Sequence, residues 1–229
     1  MGIRIAKFIA DSGAASRRAA EKFIIDGRVK CNGQVVARAA FDVEPDDKVE
    51  LDGKEVKSAG KVRVFAFFKP LNTIVSVSDP QGRRTIYDIL PKQFQGLKYV
   101  GRLDFKTDGL LLMTTSGNLA RQLTLPDSEV SRVYMVKVSG WKGEAQLAPA
   151  RGGMTIDKIK YRPMKIDVVR KEKDRAELKV EITEGKNREI RNIMFALGLS
   201  VSALRRVKYG DIKLGDMKPG EIREVDFPL

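Results

Sequence analysis

Residues 175–182 read Arg-Ala-Glu-Leu-Lys-Val-Glu-Ile. Ala176, Leu178, Val180 and Ile182 alternate with charged residues, the period of a strand with one dry and one wet face. That pattern predicts a mostly antiparallel sheet. Just downstream, Ile190, Ile193, Met194 and Leu197 recur at helical spacing, with Asn187 placed to cap the helix and Gly198 to stop it. Upstream, residues 62–68, 109–114, 132–138 and 165–169 are strand-like. From residue 61 onward the chain therefore reads as α+β, a sheet with flanking helices.

The first 60 residues have a different texture. Ile5, Phe8 and Ile9 mark one short helix closed by Gly13, and Ser16 opens a second whose Ala20, Phe23 and Ile24 share a face before Gly27. Then come Val29-Lys30-Cys31, an Asn32-Gly33 pair suited to a tight hairpin, and Gln34-Val35-Val36, with more strand at 48–51 before Asp52-Gly53. This is a small helix-helix-strand (ααβ) module, and Lys57-Ser58-Ala59-Gly60 reads as a short linker. Two domains are expected, 1–60 and 61–229.

The chain has 229 residues, 42% hydrophobic, enough for real cores. Its net charge of +13 favours polyanionic partners through phosphate neutralisation. The charge is concentrated early: residues 1–38 hold eight Lys or Arg against three Asp or Glu. Arg17, Arg18, Arg28 and Lys30 surround the second helix and the turn after it, where they are available to a phosphate backbone. The sequence contains no histidine and one cysteine, which removes Ser-His and Cys-His nucleophile pairs and most metal sites. Cys31 reads as a small packing residue. No run of about 18 apolar residues and no leader-like segment is present, so a soluble cytoplasmic protein is expected, with no membrane association.

Residues 101–112 read Gly-Arg-Leu-Asp-Phe-Lys-Thr-Asp-Gly-Leu-Leu-Leu, a polar loop between apolar strands. Scaffolds place functional groups on such loops. By themselves Asp104 and Asp108 are also consistent with solvated loop acids.

The run SGAASRRAAEKFIIDGRVKCNGQVV, residues 12–36, resembles the small RNA-binding module named for ribosomal protein S-four. The string GRLDFKTDGLLLMTTSGNLA, residues 101–120, resembles the catalytic motif of the ribosomal RNA pseudouridine synthases. That resemblance implies conversion of a uridine to pseudouridine with Asp104 as catalytic residue, without metal or diffusible cofactor. A carboxylate can act as nucleophile on the uracil ring or on the anomeric carbon of the sugar. The stretch Glu184-Gly185-Lys186-Asn187-Arg188-Glu189-Ile190-Arg191 resembles the family's third motif. It implies that Arg191 pairs with Asp104 and that Ile190 lines the pocket. Tyr134 corresponds to a tyrosine facing the target base, and Arg102 to a group that helps hold the extruded nucleotide. Phe68-Lys69-Pro70 resembles the first motif and reads as structural support, while Arg205, Arg206 and Lys208 in the closing basic segment are expected on phosphates. Ser116 and Asn192 depart from the usual residues at their positions.

Within the family, residues 78–91, with Asp79-Pro80, Gly82-Arg83 and Leu90-Pro91, resemble the large-subunit members. Large-subunit ribosomal RNA is the expected partner and a monomer the expected state. The rivals are a small-subunit target, a non-catalytic ribosomal RNA-binding assembly factor, and a metal-dependent RNA hydrolase using Asp104 and Asp108. A mere binder has little use for a carboxylate that repels phosphate, and the hydrolase lacks a further acidic cluster.

Overall fold

The computed structural model describes residues 2–57, 60–125 and 128–227. Ser58 and Ala59 of the expected linker lie outside the described residues. The chain divides into two compact units, one comprising Met1–Arg63 and Thr115–Gly117, the other Val64–Thr114 and Asn118–Leu229.

The first unit runs β1 (Ile3–Arg4), α1 (Ile5–Asp11), α2 (Arg17–Ile25), β2 (Val29–Cys31), β3 (Gln34–Val35), β4 (Asp42–Val43), β5 (Val49–Leu51) and β6 (Lys54–Glu55). The Ser16 hydroxyl accepts from the Ala19 N–H at 3.2 Å, an N-cap worth about 1 kcal/mol. Asn32 and Gly33 both take positive φ, 51° and 81°, which turns β2 back onto β3. Ile5, Ile9, Ile24, Val29 and Val49 form the centre of its core, with Cys31 packed among them. Burial pushes the Cys31 thiol above its ordinary pKa, as befits a packing residue.

The second unit contains β7 (Val64–Lys69), β8 (Lys98–Val100), β9 (Asp108–Thr114), β10 (Arg132–Ser139), α4 (Ala148–Gly152), β11 (Met154–Ile156), β12 (Ile159–Tyr161), β13 (Lys165–Glu172), β14 (Arg175–Ile182), α5 (Glu189–Ala196), β15 (Ser200–Tyr209), β16 (Ile212–Lys213) and β17 (Ile222–Val225); α3 spans Gly117–Gln122. Its sheet has the order β13-β14-β10-β15-β9-β7-β17, with β16 on β15 and β8 on β9. In β14 the alternation is obeyed: Ala176, Leu178, Val180 and Ile182 are buried. By contrast β7 and β9 are buried at every position, which accounts for their continuous apolar runs.

Among the described residues every pairing between strands is antiparallel except β15 on β9, where Arg205 faces Asp108 and Arg206 faces Gly109. This pairing requires glycine. A Cβ at Gly109, φ 103°, would stand 2.3 Å from the Arg206 carbonyl oxygen.

One expected cap is corrected. Asn187 does not cap α5; Arg188 occupies the N-cap position in the left-handed region, φ 50°, without a side-chain cap. The exposed donor of Lys186 N–H is instead satisfied by Glu189 Oε2 at 2.9 Å, reaching back from the first turn. Gly198, φ 74°, follows the helix as expected.

Candidate active site

Asp104 sits in the loop between β8 and β9, and this loop is pinned through its backbone. The Asp104 carbonyl accepts from Thr107 N–H at 3.0 Å and the Phe105 carbonyl from Asn72 N–H at 2.9 Å. The Lys106 carbonyl accepts from Arg191 Nη2 at 2.7 Å, and the Thr107 carbonyl from Lys69 Nζ at 2.7 Å. Four consecutive carbonyls are therefore held, leaving the Asp104 side chain, about one-third exposed, as the free end. Lys69 is fully buried, also donates to the Pro70 carbonyl at 2.9 Å, and has its pKa lowered to about 8 by burial against the pull of Asp108 and Asp104. The structural role expected of Lys69-Pro70 has this physical content.

The Asp104 side chain opens on a cavity of about 370 Å³ also lined by Arg102, Tyr134, Arg188, Ile190 and Arg206. Tyr134 and Arg206 are direct cross-strand partners on β10 and β15. Tyr134 and Ile190 are both buried, supplying apolar walls beside the carboxylate.

Arg191 does not form the expected ion pair. Its nitrogens go to the Lys106 and Val201 carbonyls, and Nε is buried without a partner. Among the described ion pairs Asp104 has Arg188, with Nη1 3.8 Å from Oδ2, while Arg191 interacts with Asp104 only through its charge. The left-handed backbone at Arg188 belongs to this arrangement, and no feature of an arginine in the sequence signals it. Also missed were Glu184 and Glu189, whose carboxyls line the same cavity. Burial and the neighbouring Glu184 raise the Glu189 pKa, while ion pairing with Lys186 and the Arg162 N–H lower that of Glu184.

In the closing basic segment the expectation of a phosphate contact is corrected for Arg206, which is buried. Arg205 grips Asp108 through Nη2 at 2.7 Å and Nε at 3.1 Å, and lies over the Phe68 ring. Arg206 is buried, with Nε on the Leu110 carbonyl at 2.7 Å. Arg205, about half exposed, is ion-paired across to β9, and Arg206 uses its Nε there while its Nη2 stays without a partner; Lys208 is half-buried, 4.0 Å from Asp211. In the first unit Arg17, Arg18 and Lys30 are exposed. Arg28 is held bidentately by Asp52 at 2.8 and 2.6 Å and lies over Phe23. Among the described residues no three His, Cys, Asp or Glu side chains gather as a metal ion would need, and no helix is long and apolar enough to cross a membrane.

Residues 63–196 match the RNA pseudouridylate synthase family, and residues 3–49 match the S4 domain. The chain belongs to the RNA pseudouridine synthase family. An uncharacterised RNA pseudouridine synthase of Rickettsia bellii is 43% identical over 229 residues, covering 99% of this chain and 98% of its own. The ribosomal large subunit pseudouridine synthase B of Bacillus subtilis is 34% identical over 224 residues, covering 97% and 91%. A crystal structure of a pseudouridylate synthase superposes with a TM-score of 0.69 at 27% identity, covering 98% of this chain and 96% of that one. This pseudouridine synthase is thus an isomerase with an S4 domain in front of a sheet-dominated catalytic domain, and RNA is its substrate.

Proposed function

We propose that this synthase isomerises one uridine of large-subunit ribosomal RNA, with Asp104 as the nucleophile. The observation that carries the catalytic part is the Asp104 carboxylate held by a backbone-pinned loop at the mouth of a cavity walled by Tyr134 and Ile190. The target uridine leaves its helix and enters between these two side chains, Tyr134 stacking on the base and assisting loss of the proton from ring carbon five. Arg188 lies beside the carboxylate, Arg191 fixes the loop, and Arg102 holds the extruded nucleotide. No metal or diffusible cofactor takes part. The protein works as a monomer in the cytoplasm, with residues 1–60 as a separate RNA-gripping domain through Arg17, Arg18 and Lys30.

The large-subunit target is supported by the Bacillus subtilis relative, whose name carries that substrate, and by the loop around Asp79-Pro80 and Gly82-Arg83. In that loop Arg83 is clamped on Asp79 through Nη2 at 2.8 Å and Nε at 3.0 Å, giving a shaped exposed element suited to reading RNA form. The test offers deproteinised large-subunit and small-subunit RNA separately to purified protein and maps new pseudouridines by adduct-dependent reverse-transcription stops. A stop in the large-subunit RNA alone is expected. A stop only in the small-subunit RNA overturns the target and leaves the chemistry standing.

A further inference from the structure

Of the cations that line the cavity, Arg102 is exposed to solvent and three others have partners. Arg132 donates to the Thr183 and Leu123 carbonyls and to the Tyr209 hydroxyl. Lys186 has Glu184, and Arg188 is half-exposed beside Asp104. Arg206 differs. It is 2% exposed, its Nε is used on Leu110, its plane lies 5.1 Å from the Tyr209 ring, and its Nη2 is buried with no hydrogen-bond partner. A buried donor on a charged group left unpaired is costly, and such a group calls for an explanation. Arg206 also lines the cavity that holds Asp104, directly across the strand pair from Tyr134.

The isomerisation supplies the missing acceptor. When the bond between the sugar carbon and ring nitrogen one breaks, its electron pair leaves with the base. Negative charge spreads from that nitrogen onto the carbonyl oxygens at ring carbons two and four. On the sugar-attack route, one of the two open to a carboxylate, an Asp104 oxygen meets the electron-poor sugar carbon. After the base turns, ring carbon five attacks the same sugar carbon, the carboxylate leaves, and the proton on carbon five is lost while nitrogen one gains one. A fixed donor aimed at the departing base stabilises the most charged point of this sequence.

We propose that Arg206 is a further catalytic residue of this synthase, its Nη2 donating to a uracil carbonyl oxygen as the base detaches. The proposal rests on the reading of the Asp104 cavity as the seat of the target base. It also explains why a guanidinium is buried where the fold alone asks only for a bond to Leu110. Donation to a carbonyl that becomes more negative is worth more in the transition state than in the bound substrate, so its loss falls on kcat rather than KM.

The test uses the full-length enzyme and a synthetic stem-loop spanning the uridine mapped above, with oxygen, 2-thio or 4-thio substitution at that base. Sulfur accepts hydrogen bonds weakly. Product is separated as the C-nucleoside after digestion. Arg206→Lys is expected to lower kcat by about a hundredfold to a thousandfold, with RNA affinity within threefold. Wild-type enzyme is expected to slow on one of the two thio substrates, and that slowing is expected to vanish in the variant. A thio penalty equal in both enzymes, or a loss confined to KM, overturns the proposal. Should Arg206→Lys fail to fold, the wild type alone decides: no slowing on either thio substrate rejects the donor. Activity surviving in Asp104→Asn would instead reject the placement of the base, a separate failure.

Discussion

Arg188 Nη1 lies 3.8 Å from Asp104 Oδ2, whereas Arg191, three residues later, reaches the same loop through the Lys106 carbonyl. The carboxylate and the backbone beneath it are thus served by two arginines from the start of one helix. Arg188 is half-exposed and its contact is long, while the Arg191 bond is short and carried by a buried stem.

The first consequence concerns these two residues. A hydrogen bond from a charged group contributes about 1.5–3 kcal/mol, so Arg191→Ala should lower kcat by about tenfold to a hundredfold. Exposed ion pairs contribute about 1 kcal/mol or less, so Arg188→Ala should cost about fivefold at most. Arg191→Lys should fall between Arg191→Ala and wild type, since a point charge reaches one carbonyl but not two. Single-turnover tritium release from uridine labelled at ring carbon five measures all three. The reverse ranking would show that Arg188, not the loop anchor, sustains Asp104.

Asp104→Asn keeps the shape and removes the charge. It should bind RNA as the wild type does and lose isomerisation by the same tritium assay. Turnover within tenfold of wild type would end the assignment of Asp104 as nucleophile.

Much of this geometry was legible because it is local. The Ser16 cap, the Asn32-Gly33 turn, the stops at Gly13, Gly27 and Gly198, and the alternation of β14 depend on neighbours a few residues away. The long-range pairing was not. Nothing within residues 200–209 announces that β15 runs parallel to β9, and that pairing is what buries Arg206 and binds Arg205 to Asp108. Read from the chain alone, Arg205-Arg206 is a surface basic pair; placed beside Gly109, Arg205 is paired with Asp108 and Arg206 is buried with its Nε on the Leu110 carbonyl. The misassigned cap at Asn187 has a similar origin, since a left-handed arginine is a tertiary outcome that local propensity disfavours.

Gly109→Ala tests that pairing. The added methyl would meet the Arg206 backbone at 2.3 Å from a φ of 103°. Strain and forced separation together should cost about 3 kcal/mol or more. Urea unfolding should show the loss, and a change under about 1 kcal/mol would mean that β9 and β15 are not in contact there.

Lys69 gives a pH-dependent prediction. Its folded pKa of about 8 lies below the ordinary 10.5, so between those values the unfolded chain binds a proton that the native state does not. Stability from this group therefore rises as pH climbs from about 8 toward 10.5, up to about 1.4 kcal/mol per pH unit. The neutral amine still has two N–H donors for the Thr107 and Pro70 carbonyls. Lys69→Met removes both the titration and the bonds, so wild type should outlast it in urea by a margin that widens from pH 7.5 to 9.5. A margin that narrows over that range would contradict the placement of a buried lysine.

The last prediction separates the cations that meet RNA from those the fold has already used. Each phosphate neutralised by a Lys or Arg contributes about 0.7–0.9 to the slope of log affinity against log salt. Lys30 and Arg18 are exposed and none of the described ion pairs holds them, so each changed to Ala should reduce that slope by nearly one. Arg28 is exposed too, yet Asp52 grips it through two hydrogen bonds and neutralises its charge. Its replacement by Ala should leave the slope almost unchanged and lower the stability of the first unit instead. Arg205→Ala should behave like Arg28→Ala, freeing Asp108 and weakening the β9–β15 join without altering the salt response. Filter binding of the mapped ribosomal RNA fragment across about 50–300 mM salt reads the slopes, within the range where counterion release dominates. If Arg28→Ala and Arg205→Ala flatten the slope as much as Lys30→Ala does, the Asp52 and Asp108 pairs open on RNA, and the phosphate contacts first expected from the sequence are restored.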